Sequence, residues 1–278
     1  MGQLNLAFWA WIESIRGMKA RGPWLPFLII AAVQVLGLWL LTEFYRPALS
    51  WLLAPLIKAI SGPLALHYPQ FFLALPTIFS QGNLFLDWIV GSFIYGMAYL
   101  VMWRAAVGQP TGGSATSTWS KYLHLLIARL PALLIYLVLF LVIPRAWNTG
   151  DLAGNALRAA RIGTFLITML VEALLVYAPL FILVRGRSVA EAWGDSVRLA
   201  ARTPVATGLI VLVPNLIQVP LSLIMRRADQ VLRALTPEMV AWLVLISIVL
   251  YVLINYIVIA SAVRVFRSRA AELPGGAR

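Results

Sequence analysis

The chain has no cysteine and only two histidines among its 278 residues. The absence of cysteine excludes disulfide bonds, thiolate nucleophiles and cysteine-based metal sites. The two histidines, His67 and His124, fall on opposite sides of the topology predicted below, so they predict no metal site. A glycine-rich phosphate-binding motif is also missing, which argues against an ATPase. We therefore expect no cofactor.

Charge is scarce as well, since 12% of the residues are charged and 62% are hydrophobic. A soluble domain usually contains about 25% charged residues, so one soluble core would not hide this much apolar surface. Apolar runs with almost no charge recur along the chain, and a membrane-spanning helix needs about 20 such residues. We predict an all-α polytopic membrane helix bundle with six spans, at 23–43, 84–103, 130–144, 163–184, 204–225 and 239–263. The third run is short, and we expect its helix to begin near Tyr122.

The few charges are mostly positive, with a formal net charge of +12. On the six-span topology, 14 lysine and arginine residues fall on one side and 8 on the other. The positive-inside rule then predicts that both termini lie in the cytoplasm. We expect the protein itself to lie in the inner membrane of a bacterium. The basic residues sit at span ends, where they meet anionic headgroups, so we expect membrane lipids as partners and no nucleic acid. A membrane protein partner or a homo-oligomer is a further expectation.

One outer segment, residues 46–82, is apolar yet interrupted by five prolines. Prolines break helices, so the segment predicts two short helices, at 50–60 and 70–79, with a turn at Gly62 and Pro63. Neither is long enough to span a bilayer. We expect them to lie in the interface or to form a shallow re-entrant hairpin.

A seven-residue motif occurs twice, shortly before the first and the fifth span. Residues 10–16 read AWIESIR and residues 192–198 read AWGDSVR, with four identical positions. The second copy is a predicted amphipathic helix that begins with a capping box of Ser188 and Glu191. Its predicted apolar face consists of Val189, Trp193, Val197 and Ala200.

Such helices lie flat on the cytoplasmic membrane surface, with tryptophan at the level of the headgroups. The candidate membrane-surface residues are Trp11, Arg16, Trp193 and Arg198. A weaker third copy of the motif starts at Trp119. The chain then forms one membrane domain of three helical hairpins, at about 1–107, 114–185 and 187–267, each preceded by a surface helix. Chance similarity between two tryptophan-containing helices is the alternative.

Residues 188–196, SVAEAWGDS, are followed by Pro204 and a long span. This stretch resembles the surface helix of the glycerophosphoryl diester phosphodiesterase membrane-domain-like proteins and of related uncharacterised bacterial six-span proteins. The likeness concerns mainly residues 188–215, and elsewhere only the pattern of spans. In that family the membrane domain is non-catalytic, and a separate barrel carries the phosphodiesterase activity. The resemblance implies no such activity here, because the chain lacks the length and the acidic residues for that barrel.

Glu172 lies near the middle of a predicted span, and an ionisable group inside a membrane is a functional candidate. We expect no arginine at its depth, so it would be protonated or hydrogen-bonded to other polar residues near mid-span. Those candidates are Gln34, Asn215, Gln218 and Asn255. Together they predict either a proton- or cation-responsive site or a structural network between helices. Asp87, nearer the outer end of its span, would pair with Arg46 or Lys58 or cap its own helix.

The abundance of interfacial elements over catalytic groups predicts a non-enzymatic membrane protein that handles lipid or acts as a membrane assembly or scaffold factor. A small-solute or ion transporter or channel, with a midplane polar site around Glu172, is the alternative. A third hypothesis is lipid hydrolysis at the outer surface by His67 and Asp87 with Ser80. It lacks support from sequence, because no serine lies in a Gly-x-Ser-x-Gly turn.

Overall fold

The computed structural model describes residues 2–138, 154–225 and 236–269, with side chains from residue 162 onward in the second stretch. Within these residues the regular structure is helical throughout, and short 3-10 turns precede α2 and follow α3. The α-helices are α1 (Gln3–Gly17), α2 (Leu25–Thr42), α3 (Pro47–Ser61), α4 (Gln70–Ala106), α5 (Ser114–Trp119), α6 (Tyr122–Ala128), α7 (Leu130–Leu137), α8 (Gly154–Leu175), α9 (Ala178–Arg185), α10 (Val189–Arg202), α11 (Pro204–Leu216), α12 (Gln218–Met225) and α13 (Met239–Arg269).

Five helical segments in the described part of the chain are long and apolar enough to cross a membrane, which indicates a membrane protein. They are Gly22–Thr42, Gln70–Ala106, Ile162–Arg185, Pro204–Met225 and Met239–Arg269. Five of the six predicted spans coincide with these segments. Helices suit this setting because they satisfy every backbone hydrogen bond within one segment.

The third predicted span is present only in part. The apolar helical stretch Tyr122–Leu137 begins where we expected it but is too short to qualify as a span. The predicted continuation to residue 144 lies outside the described residues. The number of six spans therefore stays a prediction. The three repeated hairpins stay a prediction too, because the middle hairpin includes residues outside the described part of the chain.

The outer segment differs from its prediction in one respect. Its first helix and its turn are confirmed: α3 covers the predicted 50–60, and the chain reverses at Gly62, whose φ of 83° favours glycine. The predicted second helix at 70–79 is not separate, because it forms the first turns of α4. Pro76 lies inside α4 without ending it. One proline removes only one helical hydrogen bond, and Phe71, Leu75 and Ile78 on its flanks are held in an apolar cluster.

Two apolar clusters hold the bundle together along α4 and α13. The larger one joins the C-terminal halves of these two helices to α1, α2, α6, α9, α10 and α11. The smaller one joins their N-terminal halves to α2, α3 and the turn after α3. Its fully buried members include Ile57 on α3 and Leu75 on α4. Between the two clusters, near the middle of α4, lies the buried carboxylate of Asp87.

Candidate functional site

An ion pair joins α4 to the break between α6 and α7. Nη2 of Arg129 donates to Oδ2 of Asp87 at 2.6 Å, and Nη1 donates to the backbone carbonyl of Asp87 at 2.9 Å. The guanidinium also lies 5.4 Å from the ring centroid of Tyr95. Only 12% of the Asp87 side chain and 30% of the Arg129 side chain are exposed. The predicted pairing of Asp87 with Arg46 or Lys58 is wrong, because those two side chains are exposed at the α3 end of the bundle.

A proline places Arg129 at this position. Pro131 lacks a backbone N–H, so the helix is interrupted at Arg129 between α6 and α7. The interruption frees backbone carbonyls, which need donors inside a membrane. The indole of Trp88 donates to one carbonyl of α6 and the indole of Trp193 to another, each at 3.0 Å. The break is therefore a fixed bend that brings the arginine to α4.

Glu172 on α8 makes a second polar contact beside this ion pair. The hydroxyl of Tyr136 on α7 donates to Oε1 of Glu172 at 2.5 Å. The carboxyl group lies within electrostatic reach of both Arg129 and Asp87. The expectation that no arginine lies at the depth of Glu172 stays a prediction, because Tyr136, which binds Glu172, lies seven residues beyond Arg129.

The position of Tyr251 shows how deep this cluster lies. Tyr251 is the central residue of the uncharged stretch 239–263 of α13, which Glu238 and Arg264 flank. Its side chain lies within electrostatic reach of the ion pair and of Glu172. Asp87 is likewise the eighteenth of the 37 residues of α4. The cluster therefore lies at mid-height of the spans, where ionisable side chains are costly and usually functional or paired.

The other polar residues predicted near mid-span make no hydrogen bond to Glu172 in the described part of the chain. Each asparagine donates its side-chain amide to the carbonyl four residues earlier in its own helix, at 2.8 Å for Asn215 and 2.9 Å for Asn255. Gln218 is half-buried at the start of α12. Gln34 is buried on α2, and neither atom of its side-chain amide has a hydrogen-bond partner among the described residues. The network around Glu172 thus consists of other residues than those the sequence suggested.

The span that carries Glu172 is itself broken between α8 and α9. Pro179 follows the break and removes a helical donor. The hydroxyl of Ser196 donates to the carbonyl of Leu174 at 2.6 Å, and the hydroxyl of Tyr99 donates to the carbonyl of Val176 at 2.9 Å. Side chains from α10 and α4 therefore satisfy the carbonyls that this break frees, as at the first break.

The two copies of the repeated motif pack in the same way. Ala10 and Ser14 on α1 and the equivalent Ala192 and Ser196 on α10 are fully buried. Small residues four apart let a helix approach its neighbour closely. The buried face of α10 is therefore rotated relative to the apolar face that we predicted, and Val197 of the predicted face is 41% exposed. The bundle, and not the membrane surface, receives the buried face of α10.

The predicted capping box at the start of α10 is confirmed. The backbone N–H and the hydroxyl of Ser188 donate to the Glu191 carboxylate at 3.1 and 3.0 Å, and the Glu191 N–H donates back to the Ser188 hydroxyl. These bonds favour the charged carboxylate, so they lower the pKa of Glu191. The cap fixes where α10 begins after the span.

The four candidate membrane-surface residues differ in their surroundings. Trp193 is half-buried and bound to a carbonyl of α6, so its indole N–H is not free for headgroups. Trp11 is also half-buried and packs edge-on against Phe8, with ring centroids 5.5 Å apart. Arg16 is exposed and pairs with its neighbour Glu13 on α1 at 3.0 Å. Arg198 is exposed too and pairs at 3.5 Å with Asp195, which lies one turn earlier on α10.

Arg264 on α13 holds α1 against the bundle, a role that the sequence did not reveal. Its Nη2 donates to the carbonyl of Glu13 at 2.6 Å and its Nη1 to the hydroxyl of Ser14 at 3.2 Å. The Ser14 hydroxyl also lies 3.0 Å from that of Ser261. The only sequence signal for this contact is an arginine directly after a long uncharged run.

The three residues of the hydrolase hypothesis do not form a group. His67 precedes α4, Ser80 lies within its first third, and Asp87 lies near its middle. At about 1.5 Å per residue, the carboxylate is about 25 Å along the helix from the end nearest the histidine. Ser80 donates to the carbonyl of Thr77 in its own helix. Among the described residues there is also no cluster of three acidic or histidine side chains for a metal ion.

The sequence identified Glu172 but not Tyr136, which binds it, or the pairing of Arg129 with Asp87. Tyrosines within apolar helices and the proline after Arg129 were the available signals. A scan against models of protein families, a search of curated proteins and a search of solved structures each find no match to this chain. The resemblance of residues 188–196 to a known membrane family therefore stays a prediction.

Proposed function

We propose that this chain is a non-enzymatic integral protein of a bacterial inner membrane that handles lipid or supports a membrane assembly. Both termini would face the cytoplasm, as the distribution of positive charge suggests. Membrane lipids would be its partners, together with a membrane protein or a second copy of the chain. The single observation that carries the proposal is the large exposed apolar surface of α3 and the turn that follows it.

One side of α3 packs on the bundle and the other side is unusually apolar for an exposed helix. Ile57 is fully buried, whereas Trp51 is 81% exposed and Leu52 is 63% exposed. The turn after the helix adds Leu64 at 72% exposure and Tyr68 at 66%. Large aromatic and aliphatic groups on a short helix beside a lysine are typical of an element that lies in the lipid interface. A patch of this kind marks a membrane or partner contact.

We expect the purified protein in liposomes to accelerate the movement of a fluorescent phospholipid between leaflets. Trp51→Ala/Leu52→Ala should slow this movement about tenfold, because the two side chains lose most of their apolar contact with lipid. The measurement is the rate at which the labelled lipid becomes accessible to a membrane-impermeant quencher.

The matched control is Trp39→Ala/Leu36→Ala, which removes the same two side-chain types from the exposed face of α2. That variant should keep the wild-type rate. A wild-type rate equal to that of protein-free liposomes would contradict lipid handling, and an equal loss in both variants would contradict the role of α3.

A transporter or channel is the second candidate, and the polar cluster at mid-height favours it. The cluster brings together two carboxyl groups, on Asp87 and Glu172, and one guanidinium. Two buried groups keep atoms without a hydrogen-bond partner among the described residues, namely the Gln34 amide on α2 and Oδ1 of Asp87 within the cluster. Interrupted helices and ionisable groups at mid-membrane are typical of sites in transporters.

For this second candidate we expect a proton or cation flux into liposomes that Glu172→Gln reduces at least tenfold. The carboxylate supplies the charge that would bind the ion, and glutamine keeps its shape and its contact with Tyr136. Glu43→Gln, which changes a half-buried carboxylate just before α3, is the control. Absence of flux from the wild-type protein for protons and for monovalent cations would remove this candidate.

A further inference from the structure

We propose that α1 and the loop that follows it form a binding site for one anionic phospholipid, an inference that rests on and sharpens the proposed lipid handling. The acyl chains would lie along an exposed apolar stripe of α1. The phosphate would face the basic loop, defined here as residues 16–21. The stripe, its depth, its flanking charge and the rigidity of the loop each support this site.

The exposed side of α1 is apolar along its whole length. Leu4, Phe8, Ile12 and Ile15 are spaced at helical intervals and are 49–56% exposed. The opposite side of the helix is already used, because Leu6, Ala7, Ala10 and Ser14 are buried against α11 and α13. The helix therefore has two apolar sides, and only one of them is covered by protein in the described part of the chain.

The depth of α1 matches the edge of the hydrocarbon layer. Ser14 contacts Ser261, which lies ten residues beyond Tyr251, the midpoint of the uncharged stretch of α13. At about 1.5 Å per residue this is about 15 Å, half the thickness of a typical hydrocarbon core. The apolar stripe would then face acyl chains, and the basic loop would lie level with the phosphates.

The charge of the loop selects the headgroup. Arg16, Lys19 and Arg21 are exposed, and Glu13 is the only acidic residue near them in this segment. Arg16 is paired with Glu13, but the side chains of Lys19 and Arg21 have no hydrogen-bond or ion-pair partner among the residues that the structure describes. Two free cations beside an apolar stripe fit a lipid with a net negative headgroup better than a zwitterionic one.

The loop is held in place rather than left free. The indole of Trp24 donates to the carbonyl of Met18 at 2.8 Å, which closes the loop. The same indole stacks on Tyr256 of α13, with ring centroids 4.4 Å apart and an angle of 19° between the planes. The two cations therefore sit on a fixed frame, which lowers the entropy lost when a headgroup binds.

The second copy of the motif provides an internal contrast. At the positions equivalent to Phe8, Ile12 and Ile15, α10 has Ala190, Gly194 and Val197. The positions equivalent to the two free cations hold alanine and threonine. The shared motif thus builds the packed side of both helices, but the large exposed apolar residues at 8 and 12 and the cations at 19 and 21 have no counterpart at the equivalent positions of α10. The site belongs to α1 alone.

The test is native mass spectrometry of the purified full chain with added phosphatidylglycerol or phosphatidylcholine of identical acyl chains. We expect tighter binding of phosphatidylglycerol. Lys19→Gln/Arg21→Gln should weaken the binding of phosphatidylglycerol about tenfold, because only the headgroup contact is lost. The same variant should leave the binding of phosphatidylcholine unchanged. Arg198→Gln/Lys121→Gln removes the same charge elsewhere and should keep the preference.

A second pair of variants tests the acyl contact. Phe8→Ser/Ile15→Ser should weaken the binding of both lipids several-fold. Ala190→Ser/Val197→Ser, at the equivalent positions of α10, should leave the binding of both lipids unchanged. All four substituted side chains are at least partly exposed, so folding is preserved, and circular dichroism checks it.

Equal affinity for the two lipids, or an equal loss in the charge control, would overturn the inference. The outcomes also separate it from the proposed function. Selective binding at α1 without movement of phospholipid in liposomes supports this site and rejects lipid handling. Movement of phospholipid by a protein that shows no preference for phosphatidylglycerol overturns this site and keeps lipid handling.

Discussion

Asp87→Asn is expected to destabilise the protein by about 3 kcal/mol, because it leaves a largely buried guanidinium without its counter-charge. In the wild-type protein Arg129 donates to both the carboxylate and the backbone carbonyl of Asp87. Asparagine keeps the shape of the side chain but not the charge. The measurement is the free energy of unfolding in mixed detergent micelles, followed by circular dichroism.

Two further variants decide whether the pair itself is responsible. Arg129→Gln alone should also destabilise the protein, because it leaves the carboxylate unpaired. The double variant Asp87→Asn/Arg129→Gln should lose at least about 1.5 kcal/mol less than the two single losses together, since neither charge remains. Glu43→Gln, which breaks a pair with the exposed Arg46, should cost less than either single variant. Additive losses at Asp87 and Arg129 would show that the two side chains are not coupled.

The positions of five spans were predictable because hydrocarbon imposes a simple rule on sequence. A helix that crosses it needs about 20 residues with almost no charge, and the chain supplies such runs. The length of α4 was not predictable from the same rule. The sequence predicted a short helix at 70–79 separate from the span at 84–103, whereas the structure has one continuous helix with Pro76 inside it. Local helix-breaking tendency is a weaker effect than a buried apolar face on both sides of the proline.

The candidate site was predictable only where a single residue carries the signal. Glu172 stands out because it is a carboxyl group in an apolar run. Its partners depend on which helices touch, and the sequence contains no such information. Arg129 was assigned to the end of a span, but the bend before Pro131 turns it inward to Asp87. Asn215, predicted as a partner, instead bonds within its own helix.

The surface helices show the same limit. The motif lies on α1 and on α10, and each of these helices precedes a span as predicted. It did not indicate which side is buried, because both tryptophan and alanine suit an apolar side. Close packing decides this question: Ala192 and Ser196 allow a near approach, and the serine hydroxyl finds a carbonyl that the broken span leaves free. Such a carbonyl exists only in the folded bundle.

Gly96→Ala is expected to destabilise the protein by about 1–3 kcal/mol, the usual cost of overpacking a close helix contact. An added Cβ at Gly96 would lie 2.5 Å from Cδ1 of Leu125 and 2.9 Å from Cγ2 of Thr118. Both of those side chains are buried, so neither has room to move aside. The α5–α6 segment would have to shift away from α4, and Arg129 would move with it. Thermal unfolding in detergent measures the loss.

The control for this prediction is Gly37→Ala on α2, where an added Cβ meets no atom within 4 Å. Alanine favours a helix by up to about 1 kcal/mol over glycine, so this variant should be neutral or more stable. The two substitutions are chemically identical, and only the contact with α5 and α6 distinguishes them. If both variants were equally stable, α5 and α6 would not be packed tightly on α4. The ion pair between Asp87 and Arg129 would then lack the fixed frame that its geometry requires.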